Sequence, residues 1–150
     1  MTEKRRFQVP SAANQFVKLY PIIAEIVEEL KLEGNEKFRF AVCVSEAFTN
    51  AFYHGNQSDP GKVVELTFTW DRETITVEIT DQGGGKVSDI DLDADLSSIS
   101  PQETSGRGVA IITSFADKVE VNERDGGGLK VTMIWHRQAK PGPKTSVLTR

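Results

Sequence analysis

The segment VSEAFTNAFYHGN, residues 44–56, sets a carboxylate, an amide and an imidazole at four-residue intervals: Glu46, Asn50 and His54. Side chains spaced by four fall on one side of an α-helix. A helix here therefore carries a polar stripe, while Val44, Ala47, Phe48, Ala51 and Phe52 supply packing on its other faces. Magnesium takes oxygen ligands and keeps several waters, so a protein can supply one oxygen and leave the rest to phosphates. The side-chain oxygen of Asn50 suits that role. Glu46, one turn away, suits a base that accepts the proton of an attacking hydroxyl in phosphoryl transfer. The plain alternative is a solvated Glu46, with Asn50 and His54 capping the helix end. For His54 the plain reading is preferred: its imidazole shapes the helix end through local hydrogen bonds.

Two glycine segments offer partners for that stripe. DQGGG, residues 81–85, stands where an alternating apolar segment ends. Glycine tolerates positive φ and lets a ligand approach the backbone, and Asp81 is an acceptor suited to an amino group such as the exocyclic amine of adenine. The alternative is a flexible turn capped by an Asp. SGRG, residues 105–108, directly precedes a segment of helical spacing. Free N–H groups at a helix N-terminus, with glycine for close approach, make an anion site, and Arg107 adds positive charge. The alternative is Ser105 as a simple N-cap. Neither segment matches G-x-x-x-x-G-K-[ST] or a strand-borne G-x-G-x-x-G, which disfavours a P-loop and a Rossmann site.

The elements that must position these residues follow from periodicity. RRFQVP reads as a short strand closed by Pro10, which cannot donate to a ladder. Phe16, Leu19, Ile22, Ile23, Ile26, Val27 and Leu30 make one helical stripe, with Ser11 as its N-cap, Pro21 as a kink or break and Gly34 as its stop. A second helix runs from Asn35 to about Tyr53. GNQSDPG is a loop. KVVELTFTW and TITVEITD form a hairpin around DRE, and KVEVNE and GLKVTMIWHR form another across RDGGG. Between the hairpins lie a long Gly-, Ser- and Asp-rich connection, of a length that is usually functional, and the helical GVAIITSFADKV. This order predicts an α+β, two-layer sandwich with a mixed, mainly antiparallel sheet and helices on one face. Residues 1–138 are expected to form one domain and residues 139–150 a loose C-terminal tail.

Bulk properties narrow the function classes. A chain of 150 residues favours one domain, and its 38% hydrophobic and 27% charged content is that of an ordinary globular protein. The sole cysteine, Cys43, excludes an internal disulfide framework and a cysteine-cluster metal site. No apolar run approaches membrane-spanning length and no leader segment is read, so a cytoplasmic setting without membrane partners is expected. The net charge is −4, from 18 basic and 22 acidic side chains, and basic residues cluster only at the ends. Direct nucleic-acid binding, which needs a basic face, is disfavoured.

Taken in order, EAFTNAFYH, DQGGG and SGRGVAIITSFADKVEV resemble the N-box, G1 box and G2 box of the GHKL (Bergerat-fold) ATPases. The short layout is similar to the anti-sigma factor serine kinases of the RsbW/SpoIIAB type, and the resemblance spans about residues 7–136. It implies that Glu46 is the general base, that Asn50 coordinates Mg²⁺ and that Asp81 recognises the adenine amine of ATP. It also implies that Gly83 and Gly85 shape the nucleotide pocket, that Ser105, Gly106, Arg107 and Gly108 form the phosphate-side turn, and that residues 86–105 are the ATP lid. Many members carry Gly-Thr in the last strand to support the pocket. Here Leu129 and Lys130 fall near that point, and Thr132, slightly later, is the candidate for the role. Gly84 is an additional glycine that loosens the loop. The implied activity is an ATP-dependent protein serine kinase that phosphorylates a STAS-type anti-anti-sigma antagonist, sequesters a sigma factor and forms a homodimer. The alternative is an ATP/ADP-binding switch of the same fold without phosphotransfer.

Overall fold

Alternation decides the sheet. In the segment Val63–Trp70, Val64, Leu66 and Phe68 are wholly buried while Glu65 and Thr69 are not, the period-two signature of a strand with one face on a core. A computed structural model describes residues 1–90, 92 and 107–137. Its strands are β1 (Glu3–Pro10), β2 (Val63–Trp70), β3 (Thr74–Thr80), β4 (Lys118–Glu123) and β5 (Leu129–His136). They form a five-stranded sheet in the order β1-β2-β3-β5-β4, with every pairing antiparallel.

The α-helices among the described residues are α1 (Leu19–Leu30), α2 (Gly34–Thr49) and α3 (Arg107–Phe115). From α1 come buried Leu19, Ile23, Ile26, Val27 and Leu30, and from α2 buried Phe40, Cys43, Val44, Ala47 and Phe48. These meet Phe68, Val77, Ile79 and Met133 of the sheet in one core. The ring of Phe16 packs 5.2 Å from both Phe48 and Phe52, and a buried Phe contributes about 1.5–3 kcal/mol. By alternation the opposite face of the sheet carries Glu65, Thr69, Thr76, Glu78, Lys130 and Thr132. The fold is therefore the expected α+β two-layer sandwich. The β2–β3 turn is held by Asp71, whose Oδ1 accepts from the backbone N–H groups of Thr74 and Glu73, each at 2.8 Å. Those bonds, Thr74's first, hold its carboxyl below the usual carboxylate range.

Four local expectations are corrected. Ser11 caps no helix: it is buried, its N–H donates to the Lys62 carbonyl and its Oγ accepts from Asn56 Nδ2 at 2.8 Å. Pro21 neither kinks nor breaks α1. A 3-10 segment, Ala13–Lys18, precedes the helix, and Pro21 falls in the first turn, where an N–H has no acceptor to lose. Gly34 opens α2 rather than ending α1, which stops at Lys31 in the left-handed region (φ 57°). The second helix is not uniform, since α2 gives way at Asn50 to a wide π-helical turn, Asn50–Gly55. The expected tail, residues 139–150, lies outside the described residues.

Candidate functional site

Where the helix layer meets the C-terminal end of β3, a cavity of about 400 Å³ opens, within the range of small-molecule sites. Its floor is apolar: Ile79 of β3, Val119 and Val121 of β4, Leu129 and Val131 of β5. Its walls are Ala47 of α2, Asn50, Ala51, His54 and Gly55 of the π turn, and Val109 and Ile112 of α3, with Ile90 and Leu92 nearby. Its polar side chains are Asn50, His54 and Asp81, from the first two of the three segments singled out in the sequence.

Asp81 is the first residue past β3, 5% exposed, and lines the cavity. Its Oδ1 accepts from the N–H groups of Gly83 (2.9 Å) and Leu129 (3.1 Å), which fixes the carboxylate. Among the described residues no donor reaches Oδ2, which lies against Gly55. A carboxylate oxygen at the wall of an apolar cavity, with no protein donor among the described residues, is open to a donor from a ligand.

The glycines are tight for identifiable reasons. A side chain on Gly83 would run into the carbonyl of Gly55, and one on Gly55 into the Asp81 carboxylate. A Cβ on Gly85 would stand 3.3 Å from Leu129 Cδ1, whereas Gly84 faces open space. Gly83→Ala therefore has to push the loop off the helix end, at a cost of about 1–3 kcal/mol, or roughly 3–10 °C in Tm for a chain of this size. Gly84→Ala has nothing to push. Thermal melts of the two variants should differ by that margin, and equal melts would show that the contact is soft.

Glu46 and Asn50 meet the site at Gly108, the second residue of α3. A Cβ there would stand 2.9 Å from Glu46 Oε2 and 3.2 Å from Asn50 Nδ2. Glycine thus lets the start of α3 close on both side chains. Asn50 lines the cavity, and Glu46 adjoins it through Gly108. One turn before Glu46, the buried Cys43 thiol is pushed up to about 12 by burial first and by the charge of Glu46 second. That removes it as a nucleophile.

The other anticipated residues divide. His54 does not cap: it is exposed, lines the cavity beside Asn50, and its ring makes no hydrogen bond among the described residues. The turn is closed instead by Asn56 N–H donating to the Ala51 carbonyl at 2.8 Å. Arg107 opens α3. Ser105 and Gly106 lie outside the described residues, as does most of the anticipated lid, of which Ile90 and Leu92 line the cavity. Thr132 is not brought to the site. It pairs with Glu78 and Glu120 on the opposite face of the sheet, because its neighbour Val131 faces the cavity.

Two supports carry little sequence signal. Asn56, 1% exposed, donates to Ser11 Oγ and the Val63 carbonyl and accepts from Gln82 N–H at 2.7 Å, which ties the glycine loop to the start of β2. Gly128 has φ 107° and packs on the Asp81 carbonyl so closely that no side chain fits. The run GGG reads as a turn, but nothing local says what it turns against.

Comparison with known proteins agrees with this geometry. The family described as histidine kinase-like ATPase domain matches residues 9–135. The anti-sigma F factor of Anoxybacillus flavithermus is 31% identical over 115 residues, 76% of this chain and 79% of that protein. The anti-sigma F factor of Clostridium acetobutylicum is 31% identical over 130 residues, 85% and 88% of the two chains. Among solved structures, the RsbU and RsbW domains of a Mycobacterium tuberculosis protein match with a TM-score of 0.58 at 15% identity, over 94% of this chain and 35% of that one. The nucleotide-free catalytic domain of the histidine kinase ThkA matches with a TM-score of 0.51 at 14% identity, over 89% and 95%. At those identities the two structures speak to the fold alone. The chain belongs to the histidine kinase-like ATPase domain family and is homologous to the anti-sigma F factors over most of its length.

Proposed function

We propose that this protein is an ATP-dependent serine kinase and anti-sigma factor. It binds ATP with Mg²⁺ in the cavity, transfers the γ-phosphoryl group to a serine of a STAS-domain anti-anti-sigma protein, and holds a sigma factor once that antagonist is released. The observation that carries the nucleotide reading is Asp81: a buried carboxylate with one oxygen fixed and the other turned to an apolar cavity, as recognition of the adenine amine requires. The sigma-factor partner is supported by the names of the homologous anti-sigma F factors, and the antagonist by the resemblance to the serine kinases of the RsbW/SpoIIAB type.

Each residue then has a task. Asp81 accepts from the amine, and Gly83 and Gly85 keep the pocket rim low. At Gly108 the donor set is one carboxylate and one amide, and among the described residues no cluster of three His, Cys, Asp or Glu side chains encloses an ion. That sparse set suits Mg²⁺, which is held largely by phosphates and water, with Asn50 as the protein ligand. Bound Mg²⁺ supplies neutralisation of phosphate charge. The N-terminus of α3 adds backbone N–H groups and a positive dipole end for the phosphates. Glu46 accepts the serine hydroxyl proton as that oxygen bonds the γ-phosphorus and the bond to the β,γ-bridging oxygen breaks. We further place the protein in the cytoplasm as a homodimer. Among the described residues no helix is long and apolar enough to cross a membrane, and the acidic net charge gives no footing for nucleic acid.

Nucleotide binding is checked by thermal stability. ATP or ADP at a hundredfold excess over Kd should stabilise the fold by about 2.7 kcal/mol, a shift of several degrees. A melt that neither nucleotide moves would contradict the site.

A further inference from the structure

We propose that Arg124, on the turn between β4 and β5, is a positioning residue for adenine recognition: it locks the peptide unit that aims the Asp81 carboxylate. The inference rests on reading the cavity as an adenine-nucleotide site.

Asp81 lies just past the end of β3, so the ladder does not fix its orientation alone. The turn that follows β4 does. Arg124 Nη1 donates to the Asp81 carbonyl at 2.9 Å, between residues 43 apart in the chain. Leu129 N–H donates to Asp81 Oδ1 at 3.1 Å, and Asp81 N–H donates to the Leu129 carbonyl at 3.0 Å. From the other side, the N–H of Gln82 donates to Asn56 Oδ1 at 2.7 Å. The carbonyl and the N–H of the single peptide unit joining Asp81 to Gln82 are thus both tied, one by Arg124 and one by Asn56. A planar peptide held at both polar ends cannot rotate, and the side chain just before it keeps its direction. The bond from a guanidinium is charge-assisted and stronger than a neutral one.

The turn is shaped for this contact. Gly126, Gly127 and Gly128 all have positive φ (86°, 105° and 107°), which a run of other residues would not adopt. Arg124 N–H donates to the Gly128 carbonyl at 2.8 Å and Gly127 N–H to the Arg124 carbonyl at 3.2 Å, so the turn closes on itself and returns the guanidinium to β3. Gly128 then lies directly on the Asp81 carbonyl. Arg124 as a whole is exposed and its guanidinium bonds only that carbonyl among the described residues. The core does not depend on it.

The test compares ATP with inosine triphosphate, whose base carries an oxygen where adenine carries the amine. Affinities are measured for the full chain as wild type, Arg124→Met and Arg124→Lys, with melts alongside. Wild type should prefer ATP by at least about tenfold, the usual penalty for facing a buried acceptor with another acceptor. Arg124→Met should lose about tenfold in ATP affinity and less than about twofold for inosine triphosphate, so that the preference collapses while Tm holds. Arg124→Lys, which keeps a charged donor, should retain most of the preference. A wild type that prefers ATP and an Arg124→Met variant with the same preference would overturn the inference alone. Equal affinity of wild type for both nucleotides would overturn the adenine reading and the inference with it.

Discussion

Glu46→Gln should leave ATP bound and cut phosphoryl transfer by about 10²–10⁴-fold, the range ascribed to a positioned general base. The prediction is sharp because the substitution is nearly isosteric and the space is tight. Glu46 Oε2 lies beside Gly108, where even a Cβ would crowd it. Glutamine fills the same volume and keeps α3 seated, but its amide cannot take the proton of a serine hydroxyl. Asn50 and Asp81, which face the cavity, are untouched. KM for ATP should therefore stay within about twofold while kcat falls, the pattern of an interaction needed only in the transition state. Steady-state transfer rates separate the two constants. A parallel rise in KM would mean that Glu46 binds nucleotide instead.

Asp81→Asn should have the reverse signature. The Asp81 Oδ1 already accepts two backbone N–H groups, and an Asn oxygen takes over those two bonds. Its NH₂ then points into the cavity, where a carboxylate oxygen had been, and meets the adenine amine donor to donor. Leaving buried polar groups mismatched costs about 1–3 kcal/mol, roughly 5- to 150-fold in ATP affinity. Calorimetric titration reads this directly. Transfer at saturating ATP should survive, because Glu46 and Gly108 lie at a different part of the site. Unchanged affinity would show that Asp81 serves the loop and not the ligand.

What the sequence made legible is what local spacing encodes. The interval from Glu46 to Asn50 is one α-helical turn, and the structure sets both side chains beside Gly108. Alternation in VVELTFTW and TITVEIT gives the central hairpin and its buried face. The same spacing sets His54 on the cavity side, but the capping role read for it fails, because the helix widens at Asn50 into a π turn whose closing hydrogen bond comes from Asn56 N–H, which leaves the imidazole facing the cavity. Ser11 looked like a cap because a Ser before a helical stripe usually is one. Its partner, Asn56, is 45 residues away. Thr132 failed on register: Leu129 and Val131 point into the cavity, so the residue after Val131 points out. The hold of Arg124 and Gly128 on Asp81 was invisible for the same reason as Ser11, since its two halves are distant in sequence and meet only through the β3–β5 pairing.

The most direct measurement is transfer of label from γ-labelled ATP, with Mg²⁺, to a serine of the STAS-domain antagonist by the wild-type chain, with Glu46→Gln alongside. Label on that serine, lost with Glu46→Gln while ATP still binds, is the expected result. Tight ATP binding with no label on the antagonist would contradict the kinase and leave a nucleotide-dependent switch in its place.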